Sequence, residues 1–411
     1  MRKVLAIFVL LTLFGCSKNS NSENVDTRTP TPTPTEMSEM TTPLSTSTSS
    51  EVPPTVEPAL ASDSRIAGTD LLTTSSECQI ADITDSDSVT SGFPRPKSPD
   101  QYLSLRVLTV PMSTSDFLFD DEDLAFANTA IEKSATYWRE MSYGRFELQA
   151  TVLPKDNWVT LDQTAQQLGI VAGGPTTDYQ SLIEKAITEV SQEIDTSSYD
   201  FFFVAMPAVD NFLFGQSVAL TDTFISDQGR RQTAIFVGGG YLRFWETVAH
   251  EIGHAGFDLE DLYSTEQQAN LMGDWDIMQM AILVPSKEIT TWSRWLLGWI
   301  PDTQIQCITV NGPYTLFIDP VEATTDLPKA IVVKTSDHSA LVIETRRNAG
   351  YDVSGPATLV YTVDTSVRTG AGPYRYEGIL ANIGEELTIG NSTVSLADSN
   401  TEGDLLTVSV R

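Results

Sequence analysis

His250-Glu251-Ile252-Gly253-His254 sets two of the chain's three histidines four residues apart. On a helix, positions i and i+4 lie one above the other on the same face. Both imidazoles can then reach a single Zn²⁺ at about 2.0–2.1 Å, with the glutamate between them placed to act on a water at that metal. Leu242, Trp245, Val248, Ala249 and Ile252 recur at helical spacing, so the segment reads as a helix with a buried face. A half-buried histidine pair needs partners, and a metal supplies them. A chance HExxH on a solvated helix would lack these apolar flanks.

The residues that follow offer the rest of a metal centre. Gly256 is suited to end the helix in the left-handed conformation. Three carboxylates come next, Asp258, Glu260 and Asp261, any of which is a candidate third ligand. Asp274-Trp275-Asp276-Ile277-Met278 then brings a methionine after a turn-like stretch, as in the Met-turn beneath the metal of metzincin peptidases. Trp292 to Ile300 reads as a helix whose aromatic and leucine positions pack in the core.

Taken in order, HExxH, a glycine, Asp261-Leu262-Tyr263, Trp275-Asp276-Ile277-Met278 and the Leu297-Gly298-Trp299 helix resemble the immune inhibitor A family of secreted bacterial zinc metallopeptidases. Upstream, Tyr137 to Arg145 is similar to the family's Ser-Tyr-Gly segment, which leads into a strand. Leu341 to Arg347 and Gly350-Tyr351-Asp352 resemble its C-terminal β-region, so the likeness spans roughly residues 93 to 365. It implies a zincin- or metzincin-like α+β catalytic domain, a Zn²⁺ cofactor and peptide-bond hydrolysis. His250 and His254 would be ligands, Glu251 the general base and Met278 the Met-turn. The family places its glycine three residues after the second histidine and the acidic ligand three further on. Here Gly256 comes two after His254, and one extra residue precedes Asp261. Alignment on Asp-Leu-Tyr makes Asp261 the third ligand; counting from His250 gives Glu260, with Phe257 where the glycine should be.

The N-terminus speaks to location. Arg2 and Lys3 precede an apolar run from Val4 to Phe14, too short to span a bilayer comfortably. Leu13-Phe14-Gly15-Cys16 reads as a lipobox, so residues 1–15 are expected to be a lipoprotein signal peptide and Cys16 to carry acyl chains. Residues 16–76 read as a tether, more than half Ser, Thr or Pro up to Ser64. The protein is expected on the bacterial cell envelope, held to the membrane through lipid alone. Ser17 after the cysteine favours the outer membrane if the cell is Gram-negative.

Cys78 and Cys307 then remain, an even number suited to an oxidising compartment, and a disulfide between them is the expectation. The rival is Cys78 as an inhibitory thiolate on zinc, although nothing around it resembles a cysteine switch. A formal net charge of −30 argues against nucleic acid and against a polybasic hold on anionic lipid. Asp120-Asp121-Glu122-Asp123 precedes a helical pattern, where acids complement the helix dipole. Structural Ca²⁺ is the lesser reading there, because the patch lacks EF-hand spacing.

Strands are expected at Arg106–Pro111, Phe146–Val152 and Phe201–Met206, and helices at Leu124–Met141 and Ser181–Ile194. With the HExxH helix they form a catalytic domain over residues 77–305. Short alternating apolar runs after Cys307 indicate an antiparallel β-sandwich over 306–411. The functional expectation is a monomeric, cell-surface-anchored zinc metalloendopeptidase acting on protein or peptide substrates. The alternative is a surface-anchored binding lipoprotein whose zincin domain is degenerate. The extra residue before Asp261 favours the alternative, and the intact Glu251 argues against it, since a purely structural zinc needs no general base.

Overall fold

Long apolar strands separated by amphipathic helices bury a sheet on both faces, and the first half of this chain does so. The computed structural model describes residues 65–84, 90–95, 98–170, 179–208, 217–225, 231–264, 269–368 and 370–411. Residues 1–64, where a signal peptide, a lipidated Cys16 and a tether were expected, lie outside the described residues. The first half runs β1 (Ser104–Ser113), α1 (Asp121–Met141), β2 (Glu147–Val152), β3 (Val159–Thr160), α2 (Tyr179–Ser191), β4 (Phe201–Ala205), β5 (Ser217–Ile225), β6 (Arg231–Val237) and α3 (Trp245–Phe257). The sheet order is β2-β1-β4-β6-β5, with β3 continuing beside the end of β1. All its pairings are parallel except β5 with β6. Leu108, Val110, Phe202, Val204 and Phe236 face α2. Val107, Phe201, Phe203 and Ile235 face the core shared by α1 and α3.

The acidic patch starts α1. Asp120 accepts from the backbone N–H of Glu122 and Asp123, and Asp123 answers by accepting from Asp120 N–H at 3.1 Å and Ala208 N–H at 2.7 Å. Its charge is therefore spent on helix capping.

The second half continues β7 (Tyr263–Ser264), β8 (Ala269–Asn270), α4 (Thr291–Leu296), β9 (Ile305–Ile308), β10 (Gly312–Ile318), β11 (Ala330–Lys334), β12 (Ser339–Arg346), β13 (Ala357–Asp364), β14 (Tyr374–Leu380), β15 (Glu386–Ile389), β16 (Ser392–Asn400) and β17 (Gly403–Val410). Two sheets form, β10-β17-β16-β15 and β14-β13-β12-β11-β9, antiparallel apart from the β9–β11 pair. They share a core of Leu316, Ile331, Leu341, Ile343, Val394 and Leu406. The architecture is thus of mixed α and β type, consistent with the α+β expectation.

The five-stranded sheet is buried on its other face too. Val332, Val342, Leu359 and Tyr361 join the same core as Trp292, Trp295 and Trp299. That explains why β11 and β12 read as unbroken apolar runs instead of alternating. Packing therefore continues through residue 305, where the sequence suggested a boundary. Buried polar contacts fasten α4 to the five-stranded sheet. Glu344 on β12 accepts the Thr291 N–H of α4 at 2.6 Å and pairs with Arg346 at 2.6 Å, while Arg346 also meets Asp352 at 3.3 Å.

Residues 65–76 were expected to belong to the tether, but they are laid onto the β-sheets. Ala67 bridges to Thr315, Thr73 bridges to Cys307, and Leu72 packs on the inter-sheet core. A few apolar side chains and open strand backbone suffice to dock them. Cys78 and Cys307 form a disulfide, 229 residues apart with a Cα–Cα distance of 5.8 Å. This removes the reading of Cys78 as a thiolate on zinc. Replacing both cysteines with alanine should lower unfolding free energy by about 2–5 kcal/mol through lost chain restraint. Urea titration reads this directly, and an unmoved midpoint would mean that packing alone holds the segment.

Candidate metal centre

α3 is buried at every residue from Thr247 to Phe257. It lies against α1, where the Trp138 indole donates to Ala249 O at 3.1 Å and Ser134 Oγ to Trp245 O at 3.3 Å. With the helix fixed, His250 and His254 project from one face as their spacing requires.

Gly256 does not end the helix. α3 continues to Phe257, and the left-handed residue is Asp258, at φ 54°. The cause is packing. Phe257 is fully buried among Trp138, Phe146 and Trp299, with ring centroids 4.6, 4.9 and 5.2 Å away. That anchorage outweighs roughly 1–2 kcal/mol for a non-glycine left-handed residue. Asp258 N–H closes on His254 O and Leu259 N–H on Gly253 O, both at 3.0 Å. The turn therefore falls at Asp258, and Asp261 stands three residues beyond it.

Asp261, His250 and His254 come together. His250 Nε2 and His254 Nε2 are 3.1 Å apart and lie 3.3 and 3.2 Å from Asp261 Oδ1. All three residues are buried. Each Nδ1 faces a backbone carbonyl, His250 on Ile277 O at 2.9 Å and His254 on Leu259 O at 2.6 Å. A carbonyl only accepts, so each Nδ1 carries the proton and each Nε2 of a neutral ring presents its lone pair to the triangle. Burial alone would lower His254, but Asp261 and Glu251 outweigh it and hold its pKa up at about 9. Burial would likewise raise Asp261, but the two imidazoles pull it well below the carboxylate range.

The triangle calls for positive charge, and two cations fit it differently. A proton on His254 serves one edge at a time. A divalent metal at about 2.0–2.1 Å from tetrahedral ligands sets those ligands about 3.3–3.4 Å apart, and so serves all three edges. The donor set of two neutral imidazoles and one carboxylate oxygen suits zinc. Glu260 is buried but gives no atom to this group; its charge acts on Tyr374 of β14. Asp258 is spent on Tyr102, whose hydroxyl donates to Oδ2 at 2.9 Å.

Glu251 is buried beside His250, and its charge acts on both His254 and Tyr263. The Tyr263 ring stacks on His250 at 6.3 Å, and burial first, then Asp261 and Glu251, push its hydroxyl pKa far up. Met278 closes the floor. A Cβ on Gly253 would overlap its Sδ, so the helix interior needs a glycine there. Asp276 holds this turn by accepting Met278 N–H and Thr290 N–H, both at 2.8 Å. Leu262 N–H donates to Met278 O at 2.9 Å, tying the Asp-Leu-Tyr turn to the methionine.

The sequence reading passed over Asp276, the carbonyls of Ile277 and Leu259, and the role of Gly253. Gly253 alone carried a signal, since glycine inside a helix usually marks a close approach. No protein-family model matches the chain. No curated protein matches it.

In an open helix, Gly→Ala stabilises by about 1 kcal/mol. At Gly253 the sign should reverse, because the methyl displaces Met278 at a cost of about 1–3 kcal/mol. Thermal denaturation of Gly253→Ala should show a lower Tm. A raised Tm would mean that Met278 does not sit against the helix.

Proposed function

We propose that the protein is a zinc metalloendopeptidase of the immune inhibitor A type, with a zincin- or metzincin-like catalytic region. In this reading it hydrolyses extracellular proteins or peptides while lipid-anchored through Cys16 to a bacterial cell envelope. The observation that carries the reading is the triangle of His250 Nε2, His254 Nε2 and Asp261 Oδ1, with Glu251 one residue from His250. Held by His250, His254 and Asp261, a zinc ion would supply Lewis-acid polarisation of a peptide carbonyl and a water acidic enough to attack near neutral pH. Glu251 takes the proton from the attacking water and returns it to the leaving amine. Ile277 O and Leu259 O keep both imidazoles in the tautomer that presents Nε2. Met278 shapes the floor and moves no proton.

The sheet supports a peptide substrate. β5 ends the sheet order, runs antiparallel to β6 and packs against α3. Among the described residues its outer edge carries no further strand, and an extended peptide can pair with such an edge through its main chain. No helix of the described residues is long and apolar enough to cross a membrane.

The test is hydrolysis of casein by the full chain in detergent, with and without a zinc chelator, beside Glu251→Ala. Cleavage should be chelator-sensitive, and the variant should keep zinc while losing at least about 10²–10⁴-fold in rate. Full activity in the variant would remove Glu251 from this role. A zinc-loaded, folded protein that cleaves nothing would favour the binding-lipoprotein reading.

A further inference from the structure

We infer that Arg95 is a positioning residue of the metal centre, holding the left-handed turn at Asp258 from which Asp261 is presented, so that the segment before β1 is a permanent part of the site. The inference rests on the zinc reading and extends it to residues far from the motif.

The contacts converge on a single residue. Arg95 Nη2 donates to Phe257 O and to Asp258 O, the latter at 2.8 Å. Its Nη1 donates to Thr90 O at 2.6 Å and Thr90 Oγ1 at 2.9 Å, and Thr90 N–H itself reaches Asp258 O at 3.2 Å. The guanidinium lies 5.7 Å from the centre of the Tyr102 ring, whose hydroxyl holds the Asp258 carboxylate. Backbone and side-chain oxygens of Asp258 are thus gripped from outside its own helix. The cation also sits at the C-terminal carbonyls of α3, where the helix dipole favours it. Charge-assisted bonds of this forked kind are among the strongest available and fix direction as well as distance.

Arg95 is itself held in place. Phe93 N–H donates to Ile80 O at 2.8 Å, and Ser91 N–H to Asp82 Oδ2 at 3.0 Å. The two arms approach so closely at Gly92 that a Cβ there would overlap the Asp82 backbone nitrogen. The Trp292 indole donates to Ser91 O at 2.8 Å, and Phe93 packs 4.7 Å from the Trp295 ring. Two residues before Ile80 stands Cys78, bonded to Cys307. A run of contacts and connecting chain therefore leads from the disulfide to the turn at Asp258, three residues before Asp261. A pro-segment that leaves on activation would take this grip with it.

The experiment measures zinc affinity by competition with a chromophoric chelator, and the visible spectrum of the Co²⁺-substituted protein, on the full chain. The set is the unaltered protein, Arg95→Ala, Arg95→Lys and Tyr102→Phe. Arg95→Ala should weaken zinc binding about 10–100-fold and shift the Co²⁺ bands as Asp261 is displaced. Arg95→Lys should recover part of the loss, because it keeps the charge and gives up the fork. A folded Arg95→Ala with unchanged affinity and spectrum overturns the inference, whatever its Tm. If Arg95→Ala does not fold, Arg95→Lys decides on the same readouts, since it keeps the charge and removes the fork. An unaltered protein that binds no zinc defeats the zinc reading and this inference together. Unaltered binding with unresponsive variants defeats the inference alone.

Discussion

Two imidazole nitrogens and a carboxylate oxygen, none more than 3.3 Å from the others, meet where solvent is excluded. Lone pairs at such a distance repel unless a cation lies among them, and burial makes that repulsion harsher. The arrangement persists only if the surrounding chain holds each group from behind. Ile277 O and Leu259 O do this for the imidazoles. The turn at Asp258 does it for Asp261. Met278 fills the space that Gly253 leaves. Much of the region from residue 245 to residue 290 can be understood as the means of keeping these atoms together.

That need reaches into the C-terminal half. Asp276, which holds the methionine turn, accepts the Thr290 N–H at the start of α4, while Glu344 accepts the next one, Thr291 N–H. Burial raises the Asp276 carboxyl to about 6, although both backbone donors and Arg346 act to lower it. Arg346, Glu344 and Asp352 form a fully buried ionic group, and Arg294 of α4 pairs with Glu288 nearby. Buried pairs of this kind add little net stability, yet losing one partner costs about 3–5 kcal/mol. They specify how α4 meets β12. The C-terminal sheets therefore scaffold the group of His250, His254 and Asp261 by fixing the helix to which its floor is tied.

Much of this could be read from the chain, for reasons that differ by element. α1 announces itself by its capping acids and apolar spacing, and the histidine pair by its spacing on a helix with apolar flanks. The tryptophans of α4 and the strands β10 to β13 are carried by simple hydrophobic patterning. β5, β6, β9 and β14 to β16 escaped notice. In β6 the apolar run is short and continuous, which periodicity cannot separate from a buried helix. β15 and β16 are short on apolar residues, and Val394 and Leu396 are buried against Ile331 and Leu341 of the other sheet, more than fifty residues away in sequence. Arg95 could not be recognised at all, because its partners lie 162 and 163 residues away.

The choice between Glu260 and Asp261 shows what local rules omit. Glycine usually ends a helix because it accepts the left-handed conformation without strain. By that rule Gly256 stops α3, whereas a count from His250 gives Glu260. Phe257 decides otherwise. Burying an aromatic ring among three others is worth about 1.5–3 kcal/mol for the area alone, more than the strain of a left-handed aspartate. The helix therefore gains a residue, and the turn and everything after it move by one. Seating the ring at Phe257 and turning at Asp258 are thus one packing decision, and the carboxylate three places past the turn is Asp261.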